Sequence, residues 1–186
     1  TCPAGNSDWF LRASSIDIDQ RKQQGKGRNV RVELKGIPIF FTPMISFPVG
    51  AARKSGFLFP SFGTSNKSGF EFGAPYYFNL APNHDLTLTP QLLSRRAPGR
   101  GGQFRYLAER SHGKLSTWLL PGDDVTRSDR SFSSLWHQTD FTDRLRLSAS
   151  IEHASDSQYF EDFGLGAAGT SVTFLDRYLS LAWLGH

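Results

Sequence analysis

The chain has 186 residues, 38% of them apolar, and a mean hydropathy of -0.37. No stretch approaches the roughly 18 uninterrupted apolar residues that a membrane-spanning helix needs, so a helical membrane protein is excluded; a β-barrel is not, because its strands alternate lipid-facing with lumen-facing residues. The net charge of +4 suits an anionic partner as well as plain solubility, and 16 Phe against 1 Met favour strands over helices.

In chain order, the lone cysteine, Cys2, implies a free thiol or a partner outside this chain. The start at Thr1 without a leader and the abrupt Trp183-Leu184-Gly185-His186 end both read as cuts through a longer chain. Ile16 and Ile18 alternate with polar neighbours, as do Val30, Val32 and Leu34, and a polar turn over 20–28 separates them, which predicts a hairpin with one buried face. A denser apolar run over 37–47 contains Ile37, Ile39 and Phe41; Pro38, Pro43 and Pro48 confine it to an edge or to strand ends. The segment 48–56 reads as a connector, with a domain boundary between residues 52 and 53.

From Phe57 onward about eight strands are expected, many near the length a tilted strand needs to cross a bilayer. They cover 57–63, 69–79, 85–95, 103–110, 114–120, 132–140, 144–154 and 171–183. Leu86, Leu88, Pro90 and Leu92 share one face of the third, opposite Asp85, Thr87, Thr89 and Gln91. In the seventh, Leu145, Leu147, Ala149 and Ile151 oppose Arg144, Arg146, Ser148, Ser150 and Glu152. The last segment changes phase between Phe174 and Leu179, which predicts a bulge or a misplaced boundary near 175–176. After the first hairpin the connections alternate: 81–84, 111–113 and 141–142 are tight, while 97–102, 121–131 and 155–170 are long. Sorting by parity is the habit of outer-membrane barrels, with short turns on one side and long loops on the other. A soluble β-sandwich stays open as the alternative.

The candidate chemistry is sparse. The run 164–169 matches G-x-G-x-x-G, but strand-like residues follow it where a dinucleotide site needs a helix, so it reads as a loop. The five histidines show no metal-ligand spacing and read as solvated, several in turns. No nucleophile–base pair stands out, so no enzyme, metal or cofactor is expected. Arg95, Arg96 and Arg100, with Arg105 and Arg110, form a basic cluster that suits lipid phosphates or a solvated loop. No nucleic-acid-binding signature accompanies it. Aromatics crowd 57–78, as at a bilayer boundary or in a core. Pro60 and Pro75 each interrupt an otherwise good strand, and each removes a ladder hydrogen bond. Either they mark strand ends, or the sheet is built to open there.

The segments Ile37-Pro38-Ile39-Phe40-Phe41-Thr42-Pro43, Phe47-Pro48-Val49-Gly50 and Arg53-Lys54-Ser55-Gly56-Phe57-Leu58-Phe59-Pro60 resemble the jelly-roll-to-barrel junction of the LptD family of lipopolysaccharide-assembly outer-membrane proteins. Pro75-Tyr76-Tyr77-Phe78-Asn79-Leu80-Ala81-Pro82-Asn83, Asp85-Leu86-Thr87-Leu88-Thr89-Pro90, Phe104-Arg105-Tyr106-Leu107 and Asp156-Ser157-Gln158-Tyr159-Phe160-Glu161-Asp162-Phe163 are similar to that family too. The resemblance implies an all-β chain, with residues 1–52 ending a periplasmic jelly roll and 53–186 opening a large antiparallel transmembrane barrel. It implies lipopolysaccharide transport to the outer leaflet of the bacterial outer membrane, an LptA-like periplasmic bridge as donor and an LptE-like lipoprotein plug. Pro60 and Pro75 fall on the family's lateral-gate prolines. Ile16, Ile18, Val30, Val32, Leu34, Ile37, Ile39 and Phe41 become candidates for the lipid groove or its core. Cys2 matches a cysteine of an interdomain disulfide whose partner would lie outside this chain. A generic porin or autotransporter barrel without a gate is the nearest rival.

Overall fold

A computed structural model describes residues 9–21, 24–34, 36–49, 53–163 and 175–183. Among the described residues the chain is all-β apart from one short helix, and it divides into two compact units, Thr1–Phe57 and Leu58–His186.

The first unit is built on one long strand. β1 (Trp9–Arg12) and β2 (Ser15–Asp19) pair in succession with one edge of β3 (Gln24–Leu34), and β4 (Ile37–Pro48) pairs with the other, all antiparallel. The step from β1 to β2 lies beside Asn29, whose φ of 47 is left-handed. Ser14 donates to the Arg28 carbonyl and accepts from the Asn29 amide side chain, which holds the irregularity in place. Val30 and Val32 are 2% and 3% exposed. The Phe47 ring lies over Gly25, and Val30 and Ile45 lie over Gly27; a Cβ at Gly25 would stand 2.3 Å from the Phe47 ring. A two-residue strand, β5 (Gly56–Phe57), closes this unit.

The second unit is a meander. β6 (Ser61–Ser65), β7 (Gly69–Gly73), β8 (Tyr76–Ala81), β9 (His84–Leu93), β10 (Gly99–Leu107), β11 (Ser111–Leu120), β12 (Arg130–Asp140), β13 (Leu145–Ala154) and β14 (Arg177–Trp183) form one antiparallel sheet. From β8 onward each strand pairs with its successor in sequence. Among the described residues the sheet does not close on itself, and its path runs from β6 to β14. The turns 82–83, 108–110 and 141–144 lie at one end; 66–68, 94–98, 121–129 and 155–163 lie at the other. The alternation of short and long therefore holds from β8 onward, while the 66–68 turn is a short member of the long-loop end.

Several strand limits differ from the sequence expectation, each for a physical reason. The segments 57–63 and 69–79 are not continuous strands: the first breaks at 58–60 and the second at 74–75. β10 begins at Gly99 rather than at Gln103, because the Trp118 ring covers Gly99 and Gly101 and supplies the packing that the glycines lack. β14 begins at Arg177, just past the change of phase. The run 164–169 lies outside the described residues. A five-residue helix, α1 (Tyr159–Phe163), occupies part of the segment expected to be only loop. The described histidines, His84, His112, His137 and His153, all lie in strands rather than turns. His137 is half-buried, bonded to the Tyr106 hydroxyl and, at 2.8 Å, to Thr139.

Candidate functional site

The cross-strand register sorts the second unit's sheet into two chemically distinct faces. On one, a row runs through Leu86, Phe104, Leu115, Leu135 and Ile151, and the next through Tyr106, Gly113, His137, Ala149 and Leu179. On the other, Thr87, Gln103, Ser116, Ser134 and Glu152 form one row, beside Asp85, Arg105, Lys114, Trp136 and Ser150. Arg105 grips Asp85 through two hydrogen bonds of 2.7 and 3.0 Å on that polar face. The apolar face is uncovered: Leu92 is 59% exposed, Leu181 64% and Leu179 74%. Carbon surface left bare in this way is costly in water and suits a hydrocarbon neighbour.

The first strands of the sheet carry a seam of prolines. β8 pairs with β9 up to Tyr76↔Leu88, β7 resumes at Gly73↔Gln91, and Ala74–Pro75 bridges the gap. Pro60 sits in the corresponding gap before β6. Backbone bonds flank the breaks: Leu58 N–H donates to the Pro75 carbonyl at 2.9 Å, and Ala74 N–H to the Pro90 carbonyl at 3.0 Å. Pro90 carries the missing donor into the third strand of this region. The interruption thus runs across the first strands only, and the β9–β10 ladder continues in register through Arg100↔Pro90.

Of the other candidates, Val30 and Val32 lie in the buried face of the first unit, whereas Ile16, Ile18, Ile37 and Phe41 are all more than half exposed. Ile16 and Ile18 stand opposite Gly27 and Gly25. Phe41 pairs with Arg31, on the face opposite Val30 and Val32. Leu34 lies in β3 and Ile39 in β4, with side chains outside the described residues. Cys2 lies outside the described residues altogether.

The long-loop end holds a cluster that the sequence did not single out. Arg96 donates to Asp123 at 2.5 Å and contacts Asp162 at 3.1 Å. Arg130, the first residue of β12, takes Asp156 in a fork of 2.9 and 2.7 Å and also pairs with Asp162. Lys67, in the β6–β7 turn, reaches Asp162 at 3.0 Å. The Arg96 and Arg130 side chains are 2% and 1% exposed and that of Asp123 0%. Both guanidinium groups lie over the Phe163 ring, 4.8 and 4.9 Å from its centroid. Tyr159 and Phe160 pack on Phe132, a polar-face residue of β12, so α1 folds back over that face. Of the arginine group read as a basic cluster, Arg96 is therefore buried and paired, Arg95 donates to the Asn66 carbonyl at 2.8 Å, and Arg100 stands in β10. The only hint in the sequence is the Asp- and aromatic-rich run 156–163, which matches no arginine by spacing.

Burial alone would raise the Asp162 carboxyl, but hydrogen bonds from Arg130 and Lys67 and the charges of Arg96 and Arg130 outweigh it and bring it from 3.8 down to about 2. Asp156 is lowered in the same way, burial being overcome by hydrogen bonds from Arg130 and Ser155. Burial pushes the Tyr159 hydroxyl well up. A carboxyl depressed in the folded state stabilises it above its unfolded value, and that contribution disappears as pH falls through the folded value. Protection of the α1 amides against hydrogen exchange is therefore expected to hold from neutral pH to about 4 and to fall away toward pH 2. Loss of protection already near pH 6 would contradict this assignment. Lys67, Arg96 and Arg130 are the cations facing Asp162, with Asp123 and Asp156 behind them.

The second unit is thus an all-β antiparallel meander with one bare apolar face, one polar face and loops sorted by end. A family model described as LptD protein matches residues 27–173. The chain is 40% identical over 183 residues to the LPS-assembly protein LptD of Bordetella pertussis, covering 98% of this chain and 23% of that protein. It is 39% identical over 175 residues to the LPS-assembly protein LptD of Alkalilimnicola ehrlichii, covering 94% of this chain and 23% of that protein. With the LPS-assembly protein LptD of Chromobacterium violaceum the identity is 38% over 186 residues, covering 100% of this chain and 23% of the relative. The chain belongs to the LptD family. It spans about a quarter of the length of these relatives.

Proposed function

We propose that this chain is part of an outer-membrane machine that delivers lipopolysaccharide to the outer leaflet, and that it does so without bond chemistry. On this reading residues 1–52 end a periplasmic jelly roll and 53–186 are the first strands of a larger transmembrane barrel. The observation that carries the reading is the bare apolar face of the second unit's sheet, set against a polar face that would line a lumen. A soluble sandwich would need a second layer over those leucines. Acyl chains favour an apolar surface over water by about 0.8 kcal/mol per methylene, which is enough to guide a lipid along the first unit's apolar side chains. Val30 and Val32 are then core, and Ile16, Ile18, Leu34, Ile37, Ile39 and Phe41 are candidates to touch lipid, Phe41 from the opposite face of the sheet. The lipid would leave sideways where Pro60 and Pro75 interrupt the ladder. An LptA-like bridge would feed the jelly roll, an LptE-like lipoprotein would fill the lumen, and Cys2 would join a disulfide to a distant part of the full-length protein.

The orientation of the sheet is directly testable. Leu115→Arg, at mid-strand on the apolar face, is expected to cost about 2–4 kcal/mol of folding stability in lipid vesicles. Gln103→Arg, on the polar face of the neighbouring strand, is expected to cost far less. Denaturant titration of the full-length protein in vesicles reads both; equal costs for the two would contradict the barrel orientation.

A further inference from the structure

The long-loop ion cluster does more than fold a loop: its arms reach the first hairpin of the sheet. The outer half of that hairpin, β6 and β7 with the 66–68 turn, lies beyond the proline breaks at 58–60 and 74–75. It is joined to β9 by only the pairs Glu71↔Leu93, Phe72↔Leu92 and Gly73↔Gln91, with backbone bonds continuing from Ser94 to Phe70 and from Arg95 to Ser68. Its tip is then tied from two further directions. Arg95 and Arg96 of the 94–98 loop donate to the Asn66 and Lys67 carbonyls. Lys67 itself crosses to α1, donating to the Glu161 carbonyl at 3.1 Å and pairing with Asp162 at 3.0 Å. Asp162 is the shared node: it also holds Arg96 and Arg130, which are anchored by Asp123 and Asp156.

We infer that Asp162 and Lys67 form a latch that holds the outer half of the first hairpin against the 155–163 segment, and that the hairpin must leave this latch when the sheet parts at the prolines. The two residues act as positioning residues for lipid exit. The inference rests on Pro60 and Pro75 being the hinge of a lateral opening. A segment that carries a short ladder beyond a break in backbone pairing is the low-stability end of the sheet, and a few side-chain contacts set its population of open states. Lys67 suits a release point: its side chain is 45% exposed, so its ion pair is screened and reversible. Arg96 and Arg130 are buried and form the fixed side of the catch.

The test is a distance measurement between spin labels at Asn66, on the tip, and Val125, on the 121–129 loop, in the full-length protein assembled with its partners in lipid nanodiscs. The unsubstituted protein is expected to give one narrow distribution. Lys67→Met removes the outer arm and leaves the buried cluster intact; Asp162→Asn removes the node. Both are expected to broaden the distribution about twofold or more, Asp162→Asn the more strongly, whereas Lys67→Arg keeps it narrow. Distributions that remain as narrow in both Lys67→Met and Asp162→Asn overturn the latch. Lipopolysaccharide arrival at the cell surface, followed in cells with the same variants, separates the two layers of the inference. A broadened tip with an altered rate of arrival supports latch and hinge together. A broadened tip with an unaltered rate keeps the latch and overturns the hinge.

Discussion

Replacing Arg130 with methionine is expected to release the 155–163 segment from the sheet. Arg130 neutralises Asp156 and Asp162 directly, stands 3.9 Å from Asp123, and packs against Phe163. Its removal leaves Asp156 without its cation and leaves Arg96 and Lys67 alone to neutralise Asp123 and Asp162; breaking a buried pair on one side costs about 3–5 kcal/mol, reduced here to about 2–3.5 kcal/mol because Asp156 is 37% exposed and Arg96 stays in place. Methionine keeps much of the volume, so the loss is electrostatic rather than a cavity. Hydrogen exchange reads the effect locally: the amides of α1, including Asp162 N–H bonded to the Gln158 carbonyl at 3.0 Å, should exchange faster by a factor of about thirty to a few hundred. The mid-strand amides of β12 and β13 should change little. Arg130→Lys should lie in between, because an ammonium cannot form the two-pronged bond to Asp156. Unchanged exchange in α1 would mean that the aromatic packing of Tyr159 and Phe160 on Phe132 holds the segment without the charges.

The second large effect is expected at the proline seam. Pro60→Ala and Pro75→Ala together return two N–H donors to strands that now break at 58–60 and 74–75. Each restored bond contributes about 0.5–1.5 kcal/mol net, and more where lipid rather than water is the alternative partner. If the sheet has to part there, a combined gain of about 1–3 kcal/mol lowers the population of open states by a factor of about 5 to 160. Lipopolysaccharide arrival at the cell surface should fall accordingly, while the sheet itself becomes harder to unfold. A porin-like barrel without a lateral exit predicts the gain in stability with no loss of transport. Pro90 is the internal control: it lies beside the same interruption, but within the sheet rather than on the first hairpin, so Pro90→Ala should leave transport less affected.

The two alternations that organise the second unit were legible in the sequence because both are local. Leu86, Leu88 and Leu92 against Asp85, Thr87 and Gln91 is a period of two within one strand, and no distant contact is needed to read it. The prolines were legible for the same reason, since a missing N–H is a property of the residue wherever it sits. The glycine run at 99–102 misled, because its strand character comes from Trp118 on the neighbouring strand. The ion cluster was invisible for a related reason. Arg96 meets Asp123, and Lys67 meets Asp162, only after the register of the strands has brought four loops to one end. Opposite charges separated by tens of residues are too common in any sequence for spacing to select the pairs. The first unit was partly legible: Val30 and Val32 follow the alternation into the buried face, but the left-handed Asn29 interrupts β3 and makes the period unreliable across it.

On the proposed route lipopolysaccharide moves past this part of the chain and leaves through the proline seam. The most direct measurement is site-specific photocrosslinking in living cells, with probes placed at Ile39, Phe41, Pro60 and Pro75 of the full-length protein. Adducts with lipopolysaccharide at the jelly-roll positions and at the seam are the expected result. A protein that is well expressed and inserted in the outer membrane, yet gives no adduct at any of the four positions, would contradict the transport route and leave a barrel without a lateral exit as the better description.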